Sequence, residues 1–461
     1  MSSKRIIIIG AGPTGLGAAY RLKELGYENW VIYEKENYIG GLSSSFKDEK
    51  GFTWDLGGHV MFSHNEYFNK LADRLLGADF TAHERESWIR MNSRWIPYPF
   101  QNNIRYLPDE MIHQCLQGLT SAQNDNRQIS NFEDWIYKTF GKGMAKIFMM
   151  PYNTKVWKTP LKQMSYDWIA ERISIVSIER IKRNITQKLD DMEWGPNNRF
   201  KFPLHGGTGG FFNKFIPFVQ NRINYKRKLI NIDIDSNQVI LNDGGKDRYD
   251  MLINTAPLDI FVQMLTSKKG DTAFLQKTSE QLKHTGVYVV GIGLIKKTGG
   301  TRCWVYFPEE EIPFYRMTYF SNYSPNNVPD GAIHTYSSLM CETSFTEKNS
   351  PSETDIVNST INGLVKAGIL SDDDKGNIIS TWLKKVDYAY PVPTLGRDNC
   401  LREIQLFLES NNIYSRGRFG AWKYEIGNMD HSTMMGIEIV NRILLGEKEN
   451  IWNLLLKKHF Q

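Results

Sequence analysis

The chain has 461 residues, enough for two to four domains, and its 41% hydrophobic and 13% aromatic content is that of a globular protein with a large core. Its formal charge of +5 is spread along the chain, with no basic tail or basic–aromatic stripe, so no nucleic-acid partner is expected. The longest apolar run, Val287 to Ile295, is too short to span a bilayer, and a first strand beginning at residue 5 leaves no room for a signal peptide. Cys115, Cys303, Cys341 and Cys400 lie far apart without metal-ligand spacing, and they read as reduced thiols of a cytoplasmic protein with no metal.

In chain order, Ile6 to Ile9 predicts a central strand covered on both faces. Gly10, Gly12 and Gly15 follow as Gly-x-Gly-x-x-Gly, then Leu16, Ala18, Ala19, Leu22 and Leu25 at helical spacing, then a strand Trp30 to Tyr33 closed by Glu34. The glycines suit a tight turn and close backbone approach, the helix N-terminus suits a pyrophosphate, and Glu34 suits ribose hydroxyls. Dinucleotide binding is therefore expected. Gly40-Gly41 and Gly57-Gly58-His59 read by themselves as turns; beside the first motif they favour FAD over NAD, with His59 either a flavin neighbour or a structural histidine.

Residues 66–190 are predicted mostly helical, with helices marked by Phe68, Leu71, Leu75 and Leu76 and by Trp135 to Phe148. Pro97 and Pro99 interrupt them with a rigid loop displaying Tyr98, Phe100 and Gln101, either a nucleobase wall or an aromatic loop packed in the core. Arg172 falls in an expected apolar helix with Trp168, Ile169, Ile173 and Val176; it reads as a phosphate fork or as a scaffold partner of Glu171 or Asp167. Gly206 to Gly210 leads into a helix from Phe211 to about Val219, and strands follow at 228–230, 238–241 and 249–256, so the nucleotide domain is expected to be discontinuous. Trp304 to Phe307 and Phe314 to Tyr319 are expected to be neighbouring strands carrying Tyr306 and Arg316, on a solvated face or a phosphate-binding wall. Gly417 to His431 is a glycine-punctuated turn entering the last helix.

Several blocks then carry a resemblance: Gly57 to His64, Pro97 to Asn103, Pro151 to Trp157 with Trp168 to Arg172, Gly206 to Gly210, Trp304 to Arg316 with Ser321 to Pro325, and Ser415 to Ser432. In this order, over nearly the whole length, the chain resembles the eukaryotic-type UDP-galactopyranose mutases. The resemblance implies an α/β fold with a discontinuous Rossmann-like FAD-binding domain (1–65, 191–262 and 386–461), an inserted mostly helical substrate or flap domain (66–190) and an antiparallel-sheet substrate domain (263–385). It implies that Tyr98, Phe100, Gln101, Phe148, Asn153 and Trp157 surround the uridine and its diphosphate. Arg172 and Arg316 match the family's pair that neutralises the diphosphate; Tyr323, Tyr390 and Tyr424 match its phosphate-bonding tyrosines, and Asn197 a further substrate contact. His59 corresponds to the residue against the flavin ring, while Asn428, Arg418 and Asp430 lie in the block facing flavin and sugar, with Gly41 and Gly58 also on the cofactor side. Arg85, His64, Tyr306 and Arg418 match positions near the entry of NADPH or NADH. Asn65 after His64, and Met429, depart from the family pattern at the flap and sugar pocket.

The chemistry the resemblance implies is isomerisation by a reduced flavin with no net redox. Flavin N5 attacks the anomeric carbon and expels UDP, the sugar ring opens as an iminium species, the 4-hydroxyl closes a five-membered ring, and UDP returns. A nucleotide sugar, most simply a UDP-sugar, is the implied partner, and a homo-oligomer is compatible with the pattern. Two alternatives stay open: an FAD-dependent oxidase or desaturase of the amine-oxidase type, which shares the dinucleotide motif, Glu34 and Gly40-Gly41, and a non-catalytic escort that keeps the sheet but needs no intact flavin site.

Overall fold

The computed structural model describes residues 4–169, 177–192, 198–268, 270, 272–297 and 299–452. Ile6–Ile9 is the middle of a five-stranded parallel sheet in the order Ile413–Ser415, Met251–Asn254, Ile6–Ile9, Trp30–Tyr33, Ile223–Asn224. All four isoleucines are enclosed because helices cover both faces. One layer contains Pro13–Glu24, Glu66–Leu76 and the last helix Met429–Leu445; the other contains Leu258–Gln263 and Arg397–Ser410. Strands from five separated stretches meet here, and ligands of such sheets bind at the carboxyl ends of the strands.

A seven-stranded sheet runs in the order Ile378–Val392, Lys283–Leu294, Ser337–Phe345, Arg316–Tyr319, Trp304–Tyr306, Ser87–Met91, Arg94–Pro97. Its pairings are antiparallel except that of Trp304–Tyr306 with Ser87–Met91. The helix Glu353–Lys366 packs on one face, and the other faces the helices Asp109–Gln123, Phe132–Met144, Met150–Trp157 and Ile178–Thr186. An aromatic-lined cleft lies between this second face and those helices.

Several boundaries differ from the sequence reading. The hairpin Ser87–Met91/Arg94–Pro97, inside the stretch expected to be mostly helical, completes the large sheet, while Glu66–Leu76 buries Phe68, Leu71 and Leu76 against the nucleotide layer. Strand Ile378–Val392 runs through the expected break at 385/386, because its pairing with Lys283–Leu294 continues on both sides. The helix expected from Phe211 starts earlier, at Gly207, and breaks before a second short helix at Ile216, whose first turn accommodates Pro217. Trp168 and Ile169, expected to open a helix, lie in and just after a turn; Ala170 to Val176 are outside the described residues.

Candidate active site

A backbone cradle follows the strand Ile6–Ile9. Gly10 takes φ +95°, and a Cβ on Gly15 would fall 2.0 Å from the Gly10 carbonyl oxygen, so only glycine lets the turn close this tightly. Gly41, at φ +54°, passes over Gly12, where its Cβ would lie 3.1 Å from the Gly12 Cα. No side chain caps the first turn of Pro13–Glu24, which leaves its amides to a ligand anion. Glu34 ends the next strand and accepts the Ala11 N–H at 2.6 Å and the Glu36 N–H at 2.9 Å. Burial raises its pKa, and these two donors partly offset the rise. A backbone cradle, an uncapped helix start and an acid at the strand end fit the pyrophosphate and ribose of a dinucleotide.

Where the cradle meets the cleft, the loop Gly57-Gly58-His59 touches the large sheet. Arg316 lies across from Tyr306 on one side and Glu342 on the other. Glu342 Oε1 accepts from Arg316 Nε and Oε2 from Arg316 Nη2, both at 2.7 Å. Oε1 also accepts the Gly58 N–H at 3.0 Å, and Oε2 accepts the Tyr315 hydroxyl at 2.7 Å. The Tyr315 hydroxyl in turn lies 3.0 Å from that of Tyr390. Burial disfavours both charges of the pair, but mutual attraction wins, holding Arg316 well above its ordinary pKa and Glu342 below its own. The Arg316 side chain stays 19% exposed, and with Nε and Nη2 committed to Glu342, Nη1 is the nitrogen left for a ligand. Burial pushes the His59 imidazole down to about 4, so the ring is neutral at ordinary pH. Its Nδ1 is enclosed with no hydrogen-bond partner among the described residues. A buried nitrogen left so is costly in the protein alone and fits a ring that needs a neighbour.

The rest of the cleft is aromatic. Tyr98, just past the strand Arg94–Pro97, stands 4.9 Å from Tyr306 between ring centroids, and Tyr152 lies 5.5 Å from Tyr306. Tyr152 stacks on Phe148 at 5.3 Å, and Phe148 on Phe100 at 4.7 Å. Deeper along the wall, Tyr424 stands 5.0 Å from Trp157, 5.5 Å from Trp168 and 5.7 Å from Tyr390. Arg418 lies over both tyrosines, 5.2 Å from Tyr390 and 5.3 Å from Tyr424, while its guanidinium donates to the Ala389 and Gly427 carbonyls. Tyr323 is fully enclosed, its ring against Phe200 and Phe202, and its hydroxyl has no hydrogen-bond partner among the described residues. Burial drives Tyr98, Tyr152 and Tyr323 well above their ordinary pKa and Tyr390 up to about 12, so all stay protonated donors.

Most of the expected site residues converge on this cleft. Phe100 and Gln101 are not displayed: the loop turns them inward, and Phe100 is fully enclosed behind Phe148. Asn153 donates to the Met149 carbonyl at 2.8 Å on its own helix. Asn428 stands at the start of the last helix, and Asp430 accepts from Ser63 Oγ at 2.7 Å. Arg85 packs over Trp304 at 4.7 Å and Phe62 at 5.8 Å, whereas His64 is exposed. Arg172 and Asn197 lie outside the described residues. Asp167, offered as a scaffold partner for Arg172, accepts from Ser165 Oγ at 2.8 Å, and its pairing with Arg172 lies outside the described residues. Sequence reasoning missed Glu342, Tyr315 and Tyr152; the available signal was the lone acid in the otherwise uncharged strand Ser337–Phe345, whose every residue is buried. All four cysteines are buried and free, no group of metal-ligating side chains occurs among the described residues, and no described helix is long and apolar enough to cross a membrane.

Comparison with known proteins agrees with this geometry. The model of the flavin containing amine oxidoreductase family matches residues 13–444. A solved structure of reduced UDP-galactopyranose mutase superposes with a TM-score of 0.94 at 41% identity, covering 98% of this chain and 96% of that one. Among curated proteins, 4,4'-diaponeurosporene oxygenase of Staphylococcus haemolyticus is 30% identical over 31% of this chain, and the match spans only 28% of its own length. The 15-cis-phytoene desaturase of Capsicum annuum is 23% identical over 94% of this chain and 76% of its own. FAD is the cofactor that the family and the cradle agree on. The chain is a flavoenzyme that belongs to the flavin containing amine oxidoreductases and, within them, to the UDP-galactopyranose mutases.

Proposed function

We propose that the protein interconverts UDP-galactopyranose and UDP-galactofuranose, or a close nucleotide-sugar pair, without net redox. The observation that carries this reading is Arg316, locked two-pronged onto Glu342 at the flavin-side end of a tyrosine-lined cleft, in a chain 41% identical to a mutase over almost its whole length. Reduced FAD, when bound, supplies the electron pair that displaces the diphosphate from the sugar and takes it back when the ring has contracted.

The chain's own residues then have definable tasks. Gly10, Gly12, Gly15 and Gly41 with Glu34 hold the dinucleotide, and His59 lies against the flavin as a neutral ring. The departing UDP carries the growing negative charge, so Arg316 and Arg172 act by electrostatic stabilisation. A guanidinium already fixed by Glu342 needs little reorganisation as that charge appears. Tyr323, Tyr390 and Tyr424 donate to the phosphates, the first two held protonated by burial, with Arg418 beneath the last two. Tyr98 and Tyr306 with Tyr152, backed by Phe148 and Phe100, offer flat faces to the base, near Gln101, Asn153 and Trp157, and Asn197 is proposed as a further substrate contact. The tight aromatic walls keep water from the reacting sugar. NADPH or NADH is the proposed reductant, entering near Arg85, His64, Tyr306 and Arg418.

The oxidase or desaturase reading draws on the family model and on the desaturase match over most of the chain. An oxidoreductase of that kind has no use for an arginine committed to a leaving diphosphate. Incubating dithionite-reduced protein with a panel of nucleotide sugars and separating the products by chromatography distinguishes the readings. A new UDP-hexose isomer supports the mutase; unchanged nucleotide sugars across the panel would remove it.

A further inference from the structure

Four charged side chains sit behind Tyr424. Arg397, 1% exposed at the start of the helix Arg397–Ser410, grips Glu425 twice, Nη1 to Oε2 at 3.0 Å and Nη2 to Oε1 at 2.8 Å. Its Nε donates to Asp398 Oδ1 at 2.9 Å. Buried Lys423 donates through Nζ to the same oxygen and lies 3.5 Å from Glu425 Oε1. Two cations and two anions therefore balance in a place largely shut from water, where any one alone would be costly.

The positions of these charges in the chain matter. Lys423 and Glu425 bracket Tyr424, and both side chains are drawn into the cluster while the ring between them stands against Trp157, Trp168 and Tyr390. Tyr424 begins a three-residue helical turn, Tyr424–Ile426, too short to orient a side chain by itself. Arg397 also follows closely on the strand that ends just past Tyr390, and the connecting segment is pinned to the helical side: Ser165 N–H donates to the Pro393 carbonyl at 2.8 Å, and Met164 bridges Thr394. One guanidinium thus joins the chain segment after one cleft tyrosine to the turn that carries the other.

We infer that Arg397 is a positioning residue which, through Glu425 and the Asp398–Lys423 pair, aims Tyr424 at the ligand's diphosphate, an inference that rests on the function proposed above. A hydroxyl–phosphate hydrogen bond weakens steeply once distance or angle drifts, so the supporting cluster governs affinity without touching the ligand.

The test is a double-mutant cycle read by calorimetric UDP binding to the flavin-loaded protein, with turnover, melting temperature and flavin content on the same preparations. Arg397→Lys keeps the charge but loses the fork, and Glu425→Gln keeps the shape but loses the charge. Each is expected to weaken UDP binding about tenfold, raising KM more than it lowers kcat, and to change it less than about twofold once Tyr424→Phe has removed the hydroxyl. Equal weakening with and without that hydroxyl, or no weakening, overturns the inference. Should Arg397→Lys fail to fold, Glu425→Gln decides; if neither holds flavin, the cluster is scaffold and the inference falls. A parent protein that does not bind UDP overturns the proposed function instead.

Discussion

The cradle after Ile6–Ile9 is made almost wholly of backbone, whereas the cleft beneath the seven-stranded sheet is made of side chains from distant segments. In the cradle, function depends on atoms that are missing: Gly15 and Gly41 work because no Cβ stands between two stretches of chain. In the cleft, the proposed function depends on charges and rings that must be held in place, and the holding residues are largely enclosed: Glu342 behind Arg316, Arg397 and Glu425 behind Tyr424. A backbone site is damaged by adding an atom. A side-chain site is damaged by removing a partner that never touches the ligand.

The largest effect is therefore expected from the smallest addition. Gly15→Ala places a methyl group against the Gly10 carbonyl oxygen and should yield protein that releases no FAD on acid precipitation. A yellow Gly15→Ala protein with normal flavin content would break the cradle half of the comparison.

Next come the arginines. Arg172→Ala and Arg316→Ala should each lower turnover by about 10²–10³-fold with flavin still bound, and Lys should rescue either poorly. Arg316→Ala should also lower the melting temperature, since it strands buried Glu342 at a cost of about 3–5 kcal/mol. Arg316→Met combined with Glu342→Gln removes both charges and should recover most of that stability without recovering turnover. Turnover returning together with stability would make Arg316 scaffold alone.

The smallest effect concerns pH. His59 in the folded protein titrates near 4, below its ordinary 6.5, because burial disfavours the imidazolium. Below 6.5 the unfolded chain binds the proton and the folded one does not, so this contribution to stability is complete above 6.5 and is lost as pH falls toward 4. The slope is at most about 1.4 kcal/mol per pH unit. Carbon-13 NMR of labelled histidine should show His59 neutral down to pH 5, and melting temperatures of the parent and His59→Gln should converge as the pH is lowered. An imidazolium signal at pH 6 would contradict the enclosed ring.

The same contrast accounts for what could be read from the sequence. Gly10, Gly12, Gly15 and Glu34 are close in the chain and obey local rules, so the cradle and the discontinuous parallel sheet were legible. Arg316 and Tyr306 were legible as neighbours on adjoining strands. Glu342 was not, because its partnership with Arg316 depends on a third strand 26 residues away, and a lone acid in an otherwise uncharged strand does not name its partner. Phe100 was left between a displayed wall and a core-packed loop because two prolines reveal a loop without revealing which way it turns, and the structure encloses it. The helical boundary failed at Ser87–Pro97 for a related reason: that hairpin gains its place from a parallel pairing with Trp304–Tyr306 that local pattern cannot show.

Catalysis without net oxidation is tested most directly by anaerobic incubation with limiting NADPH and excess UDP-galactopyranose, reading nicotinamide absorbance and nucleotide-sugar chromatography on the same samples. The mutase account predicts brief oxidation that stops once the flavin is reduced, followed by UDP-galactofuranose accumulating to many equivalents per nicotinamide consumed. One nicotinamide oxidised for every product formed, or no furanose from fully reduced protein, would contradict it.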